Sequence, residues 1–168
     1  MLIIFDLDDT LYDCTGGIIR NSDGTYNLEN ITLFSGVKEF LKDSNNNNHK
    51  NIKTVLVSMG DSDFQNKKLT ILGISELFNK IIICSTDPEK KDCFQQAMEK
   101  FPEEKEILIV GNRIDSEIRY GNELGLKTVL INHGKYKNLK AKDSSEIPDL
   151  VYLTFQEFVE GLFKDNKN

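Results

Sequence analysis

The stretch Leu2-Ile3-Ile4-Phe5-Asp6-Leu7-Asp8-Asp9-Thr10-Leu11 decides the fold of this chain. Three large aliphatic residues and a Phe run straight into three closely spaced carboxylates, Asp6, Asp8 and Asp9, and a hydroxyl follows at Thr10. An Ile-rich apolar run bounded by polar residues predicts a buried strand. Side chains alternate along an extended chain, so Asp6 and Asp8 are expected on the same side where the strand ends. Two carboxylates so placed raise one another's pKa unless a cation sits between them. Asp8, Asp9 and Thr10 would also suit a helix cap or turn. Directly off a buried strand, the pair points more to a hard-cation or phosphate site.

Outward from this stretch the pattern repeats. Ile18 to Arg20 and Thr25 to Leu28, joined through Asp23-Gly24, predict a hairpin that projects as a flap beside the carboxylates. Val37, Phe40 and Leu41 lie at helical spacing, followed by a polar, Asn-rich break over Asp43 to Lys50. Lys53 to Val57 is a second strand candidate and ends on a hydroxyl, Ser58. Phe64 to Leu72 predicts a helix stopped by Gly73, and Ile81 to Cys84 a third strand. Glu89 to Phe101 predicts an amphipathic helix with Lys90 and Lys91 in its first turns, where the dipole disfavours cations. Ile107 to Val110 is a fourth strand, running into Gly111-Asn112-Arg113-Ile114-Asp115-Ser116-Glu117. A helix over Ile118 to Leu124, a fifth strand over Thr128 to Ile131, and a short strand and helix over Val151 to Phe163 complete the series. This alternation predicts an α/β fold, a Rossmann-like doubly wound parallel sheet with helices on both faces.

At 168 residues the chain suits one domain, 1–168, with 12–33 as a flap or linker region. A net charge of -6 disfavours nucleic acid and anionic membrane as partners. Cys14, Cys84 and Cys93 are odd in number and share no CxxC spacing, so they read as buried or incidental thiols of a reducing compartment. The opening apolar run reaches Asp6 too soon for a signal peptide or membrane span, and a cytoplasmic location is expected. His49 and His133 are read as solvated side chains with no nucleophile to pair with.

Ligands of open parallel sheets gather beyond the carboxyl ends of the strands. The polar residues converge there: Asp6 and Asp8, Ser58, Lys90 or Lys91, and Asn112 with Asp115 and Glu117. In order and spacing these stretches resemble the four motifs of the haloacid dehalogenase superfamily. Phe5 to Leu11 resembles the first, Val55 to Gly60 the second, Lys90 or Lys91 the third, and Val110 to Glu117 the fourth.

The resemblance implies a magnesium-dependent phosphatase. Asp6 would be the nucleophile that forms an aspartyl-phosphate, and Asp8 the acid and then base, also offering its backbone carbonyl to Mg2+. Ser58 would bind a phosphate oxygen, and the third-motif lysine would balance developing charge. Lys90, four residues before Phe94, matches small family phosphatases better than Lys91 does. Asp6, Asp8, Asn112, Asp115 and Glu117 would supply the protein share of the metal shell. Where the family usually has Gly-Asp, this chain has Gly111-Asn112, which shifts metal binding toward Asp115 or Glu117.

The gaps between motifs are short, so no cap domain is expected. The flap, a second subunit of a homo-oligomer or the substrate itself would then close the site, and phosphorylated substrates up to macromolecular size would be admitted. Two other readings keep the same fold: a non-catalytic binding or regulatory module with a weakened metal site, and a phosphotransferase. Asp9 is expected to be a turn residue that points away from the site.

Overall fold

Strand β1 (Leu2–Phe5) is fully buried and lies at the middle of a six-stranded parallel sheet. The structure is a computed structural model that describes residues 1–45 and 52–164. Strand β4 (Lys53–Met59) flanks β1 on one side and β6 (Ile107–Gly111) on the other, with Phe5 level with both Leu56 and Val110. Beyond β4 lies β5 (Lys80–Cys84); beyond β6 lie β7 (Lys127–Ile131) and β8 (Leu150–Tyr152). The chain winds outward from β1 through β4 to β5, then crosses back to build β6, β7 and β8 on the opposite side. This reversal opens a crevice at the carboxyl ends of β1 and β6.

Alternation along β1 divides the core. Ile3 and Phe5 join one cluster with Phe40, Phe155 and Phe158, and Leu2 and Ile4 join another with Phe94, Ala97 and Tyr120. Helices α2 (Val37–Asn45), α3 (Ser62–Leu72) and α6 (Phe155–Lys164) cover the first face, and α4 (Glu89–Lys100) and α5 (Arg119–Glu123) the second. Phe5 stacks edge-on to Phe40 at 6.0 Å and to Phe158 at 6.0 Å. Both faces of the sheet are thus apolar, which is why its strands read as apolar runs.

The hairpin predicted between the first two motifs forms as β2 (Ile19–Arg20) against β3 (Tyr26–Asn27), with Gly24 at φ 85 in its turn. A short helix, α1 (Cys14–Gly17), precedes it, capped by Asp13. The sequence reading omitted α1, because four residues with two glycines carry no helical periodicity. Tyr26 rests on Phe64 of α3 with ring centroids 5.4 Å apart, which fixes the flap over the sheet's carboxyl edge. Among the described residues, no cap domain is inserted between β1 and β4 or between β4 and α4, and no helix is long and apolar enough to cross a membrane.

Two boundaries differ from expectation. The predicted helix over Ile118 to Leu124 begins earlier, as a π-helical turn over Ile114–Ile118 that continues into α5. Within this turn the Glu117 side chain is buried against Gly111 of β6. Helix α2 runs on to Asn45, three residues into the break expected over Asp43 to Lys50, and the rest of that break with His49 lies outside the described residues.

Candidate active site

Register assembles the site. Phe5, Leu56 and Val110 share a level, so Asp6 stands one residue beyond it, and Ser58 and Asn112 two. The Asp6 amide donates to the Val110 carbonyl at 2.9 Å, so β1 stays paired up to Asp6. Asp6, Asp8, Ser58, Lys90, Asn112 and Glu117 line one cavity of about 370 Å³.

Lys90 projects from the first turn of α4 to the end of β1 and is 3% exposed. Its Nζ lies 2.8 Å from Asp6 Oδ1 and also contacts Glu117 Oε1. Burial alone would lower the ammonium pKa, but the two carboxylates outweigh it and hold Lys90 charged. Asp6 has the opposite balance: burial, with Glu117 and Asp8 adding repulsion, pushes its carboxyl up to about 7 despite Lys90. One cation is too few for the carboxylates grouped here. Lys91, the alternative on the same helix, turns outward to Glu123 at 2.8 Å.

Glu117 is fully buried and accepts from the Arg113 amide at 3.0 Å and the Ser116 hydroxyl at 3.0 Å, besides Lys90. Gly111 makes room for it, since a Cβ there would lie 2.4 Å from Glu117 Cγ. Asp115 does not join the group. Its carboxylate accepts from Arg113 Nε at 3.1 Å and is absent from the cavity wall. Asn112 does line the cavity, and its amide nitrogen donates weakly to the His133 carbonyl at 3.5 Å. That assignment leaves the amide oxygen for a ligand.

Asp8 is held by residues that sequence reasoning missed. Lys68 Nζ and the Tyr12 hydroxyl both donate to Asp8 Oδ1 at 2.5 Å. Burial would raise the Asp8 carboxyl, but the Lys68 charge and these hydrogen bonds outweigh it and hold the group below the usual carboxylate range. Lys68 is 1% exposed and shares the buried face of α3 with Gln65, Leu69 and Leu72. The signal was available: a lysine in the apolar phase of an amphipathic helix needs a buried partner.

The flap supplies the outer wall through Cys14, Thr15 and Ile18. Asp9, expected to face away, lies on the cavity rim at φ 56 and accepts from the Thr15 amide at 2.8 Å and hydroxyl at 2.6 Å. It ties the flap to β1. His133 keeps its side chain 38% exposed, as expected of a solvated residue, while its ring packs on Phe34 at 4.8 Å and Nε2 lies 3.5 Å from Asp13 Oδ1. Asp9, Asp13 and His133 hold ligand atoms within 4.8 Å of one another. Their oxygens already serve Thr15 and the cap of α1, so the trio reads as a clasp between flap and sheet.

A sequence profile described as haloacid dehalogenase-like hydrolase matches residues 20–125, which take in the second, third and fourth of the polar strand ends. Glyceraldehyde 3-phosphate phosphatase of Methanopyrus kandleri is 31% identical over 97 residues, 55% of this chain and 42% of that protein. The protein of the same name from Pyrococcus furiosus is 27% identical over 117 residues, 67% of this chain and 48% of that one. The chain spans about half the length of the curated relatives it matches. Among solved structures, an uncharacterized protein from Listeria monocytogenes serotype 4b superposes with a TM-score of 0.73 at 19% identity, covering 99% of each chain. The D,D-heptose 1,7-bisphosphate phosphatase of B. bronchiseptica, solved with magnesium and phosphate, superposes with a TM-score of 0.70 at 14% identity and 98% coverage of each chain. At those identities the superpositions speak for the fold, and the profile match over most of the chain speaks for descent: this chain belongs to the haloacid dehalogenase-like hydrolases.

Proposed function

We propose that this chain, acting as one domain over residues 1–168, is a magnesium-dependent phosphatase that hydrolyses a small phosphate monoester through an aspartyl-phosphate on Asp6. The observation that carries the reading is the buried Asp6 carboxylate, 2.8 Å from Lys90 Nζ at the reversal point of the sheet, with Ser58 and Asn112 one residue step further out. The names of the curated relatives support a phosphorylated small molecule as substrate in preference to a macromolecule.

The residues suit the chemistry. An Asp6 oxygen attacks phosphorus while Lys90 steadies charge on the phosphoryl oxygens. The Ser58 hydroxyl donates to one of those oxygens. Asp8 delivers a proton to the leaving oxygen and afterwards takes one from the attacking water. Its depressed pKa suits the second task in the resting site, so proton delivery depends on how substrate changes the Lys68 contact. Asp6, the Asp8 carbonyl, the Asn112 amide oxygen and Glu117 are hard oxygen donors of the kind magnesium selects. The under-compensated charge at Asp6 also fits a cation. Bound there, magnesium would offset repulsion between the anionic nucleophile and the anionic phosphate. Asp115, held by Arg113 away from the cavity wall, is the weakest member of the expected ligand set.

The test is phosphate release from p-nitrophenyl phosphate and a panel of phosphorylated metabolites, with and without magnesium, beside Asp6→Asn. The expected result is magnesium-dependent release that Asp6→Asn abolishes. No release from any substrate would favour the non-catalytic module, and transfer to an added alcohol in preference to water would favour a phosphotransferase.

A further inference from the structure

The short turn Gly134–Tyr136, after β7, brings two residues to the cavity mouth that the chemistry above does not use. Lys135 Nζ lies 4.8 Å from the centre of the Tyr136 ring, and the Arg113 guanidinium lies 4.6 Å from the same centre. The other cations of the site are matched: Lys90 to Asp6 and Glu117, Lys68 to Asp8, Arg113 to Asp115 and Asp87. Among the described residues, Lys135 has no carboxylate within ion-pair distance and the Tyr136 hydroxyl has no hydrogen-bond partner. The turn is held in place, because the Lys135 amide donates to the Thr15 hydroxyl at 3.2 Å and Gly134, at φ 73, packs against Asp9 where a Cβ would clash. Cys14, Ile18 and Met59 make the apolar part of the same wall.

Building on the phosphatase reading, we propose that Lys135 and Tyr136 form a subsite for a second anionic group, a carboxylate or a second phosphate, carried by the leaving-group end of the substrate. The phosphoryl group that reacts is held by Lys90 and Ser58 at the bottom of the cavity. A short carbon skeleton lies along Cys14, Ile18 and Met59. Its far end meets an ammonium with no carboxylate partner and a phenol hydroxyl with no hydrogen-bond partner among the described residues. A neutral leaving group would leave these donors to solvent, and an anionic one gains a charge-assisted hydrogen bond, the stronger kind. The preferred substrates are therefore phosphorylated hydroxy acids or bisphosphates. They are distinct in charge from the aldehyde in the name of the curated relatives.

The test uses two esters on one skeleton, 3-phosphoglycerate and glyceraldehyde 3-phosphate, which differ by carboxylate against aldehyde. Binding is measured by calorimetry with magnesium present, and turnover by phosphate release, on the full chain and on Lys135→Gln and Tyr136→Phe. The wild type should prefer the carboxylate about tenfold, as one such hydrogen bond allows. Lys135→Gln should bring the ratio of the two to within about twofold, with the loss in KM and not in kcat, and Lys135→Glu should invert it. Because Lys135 is exposed, these variants should fold. A binding preference without turnover upholds the subsite and removes the phosphatase reading. Turnover without preference, or a preference that survives Lys135→Gln, overturns the subsite. Neither preference nor turnover overturns both.

Discussion

Lys68 reaches from the buried face of α3 to set its Nζ 2.5 Å from Asp8 Oδ1, across 60 residues of sequence. The lysine side chain is 2% exposed and that of Asp8 35%, so the two ends of this ion pair stand in different solvents. That asymmetry decides what happens when either is removed.

Asp8→Ala leaves a buried ammonium without its carboxylate and should cost about 3 kcal/mol of stability. Lys68→Met removes the buried charge itself, and water reaches Asp8 from the cavity, so its cost should be about 1 kcal/mol or less. Lys68→Met should still lower kcat about tenfold with little change in KM, because Asp8 loses its orienting donor. Denaturant melts and steady-state kinetics of the two variants check the ordering.

The two adjacent lysines of α4 should behave unlike each other. Lys90→Met leaves Asp6 and Glu117 buried without their cation and should cost about 3–5 kcal/mol in metal-free buffer, with turnover reduced at least about a thousandfold. Lys91→Met breaks an ion pair that is 36% exposed at both ends and should change stability by less than about 0.5 kcal/mol. Measuring both on the same day against the same substrate distinguishes them.

Asp6 sets a pH dependence. Its carboxyl is raised from 3.8 to about 7, so the folded state binds a proton that the unfolded state has released. The stability this gives is complete below about pH 3.8 and is lost as the pH climbs toward 7. Asp6→Asn should therefore stabilise the protein in EDTA at pH 8, by an amount on the order of a few kcal/mol, and do almost nothing at pH 4. Thermal melts at the two pH values give the answer, and a variant less stable than wild type at pH 8 would refute the assignment.

Asn112 stands where the proposed metal shell departs from the family pattern. Asn112→Asp adds a carboxylate beside Asp6 and Glu117, so it should tighten magnesium binding about tenfold and destabilise the metal-free protein. The gain in melting temperature on adding magnesium should be larger for Asn112→Asp than for wild type, following mass action. Equal gains in the two proteins would place Asn112 outside the metal shell.

The sequence by itself determined the sheet, because apolar runs closed by polar residues alternate with amphipathic helices, the pattern of a parallel sheet buried on both faces. It also determined that Asp6, Ser58 and Asn112 share one edge, since parallel strands end together. The flap followed from Asp23-Gly24 between two short extended pieces. Tertiary structure alone decided which charged groups meet. Lys90 and Asp6 are 84 residues apart, Lys90 and Glu117 27, and Lys68 and Asp8 60. The spacing to Phe94 favoured Lys90 over Lys91 only through the family resemblance, and spacing did not separate Asp115 from Glu117. The choice between them depends on the helix face that α4 turns to the sheet and on the wide π turn that folds Glu117 over Gly111. Local patterns record which side chains avoid water, but a pairing of charges depends on distance in space, and that distance exists only once the strands are in register.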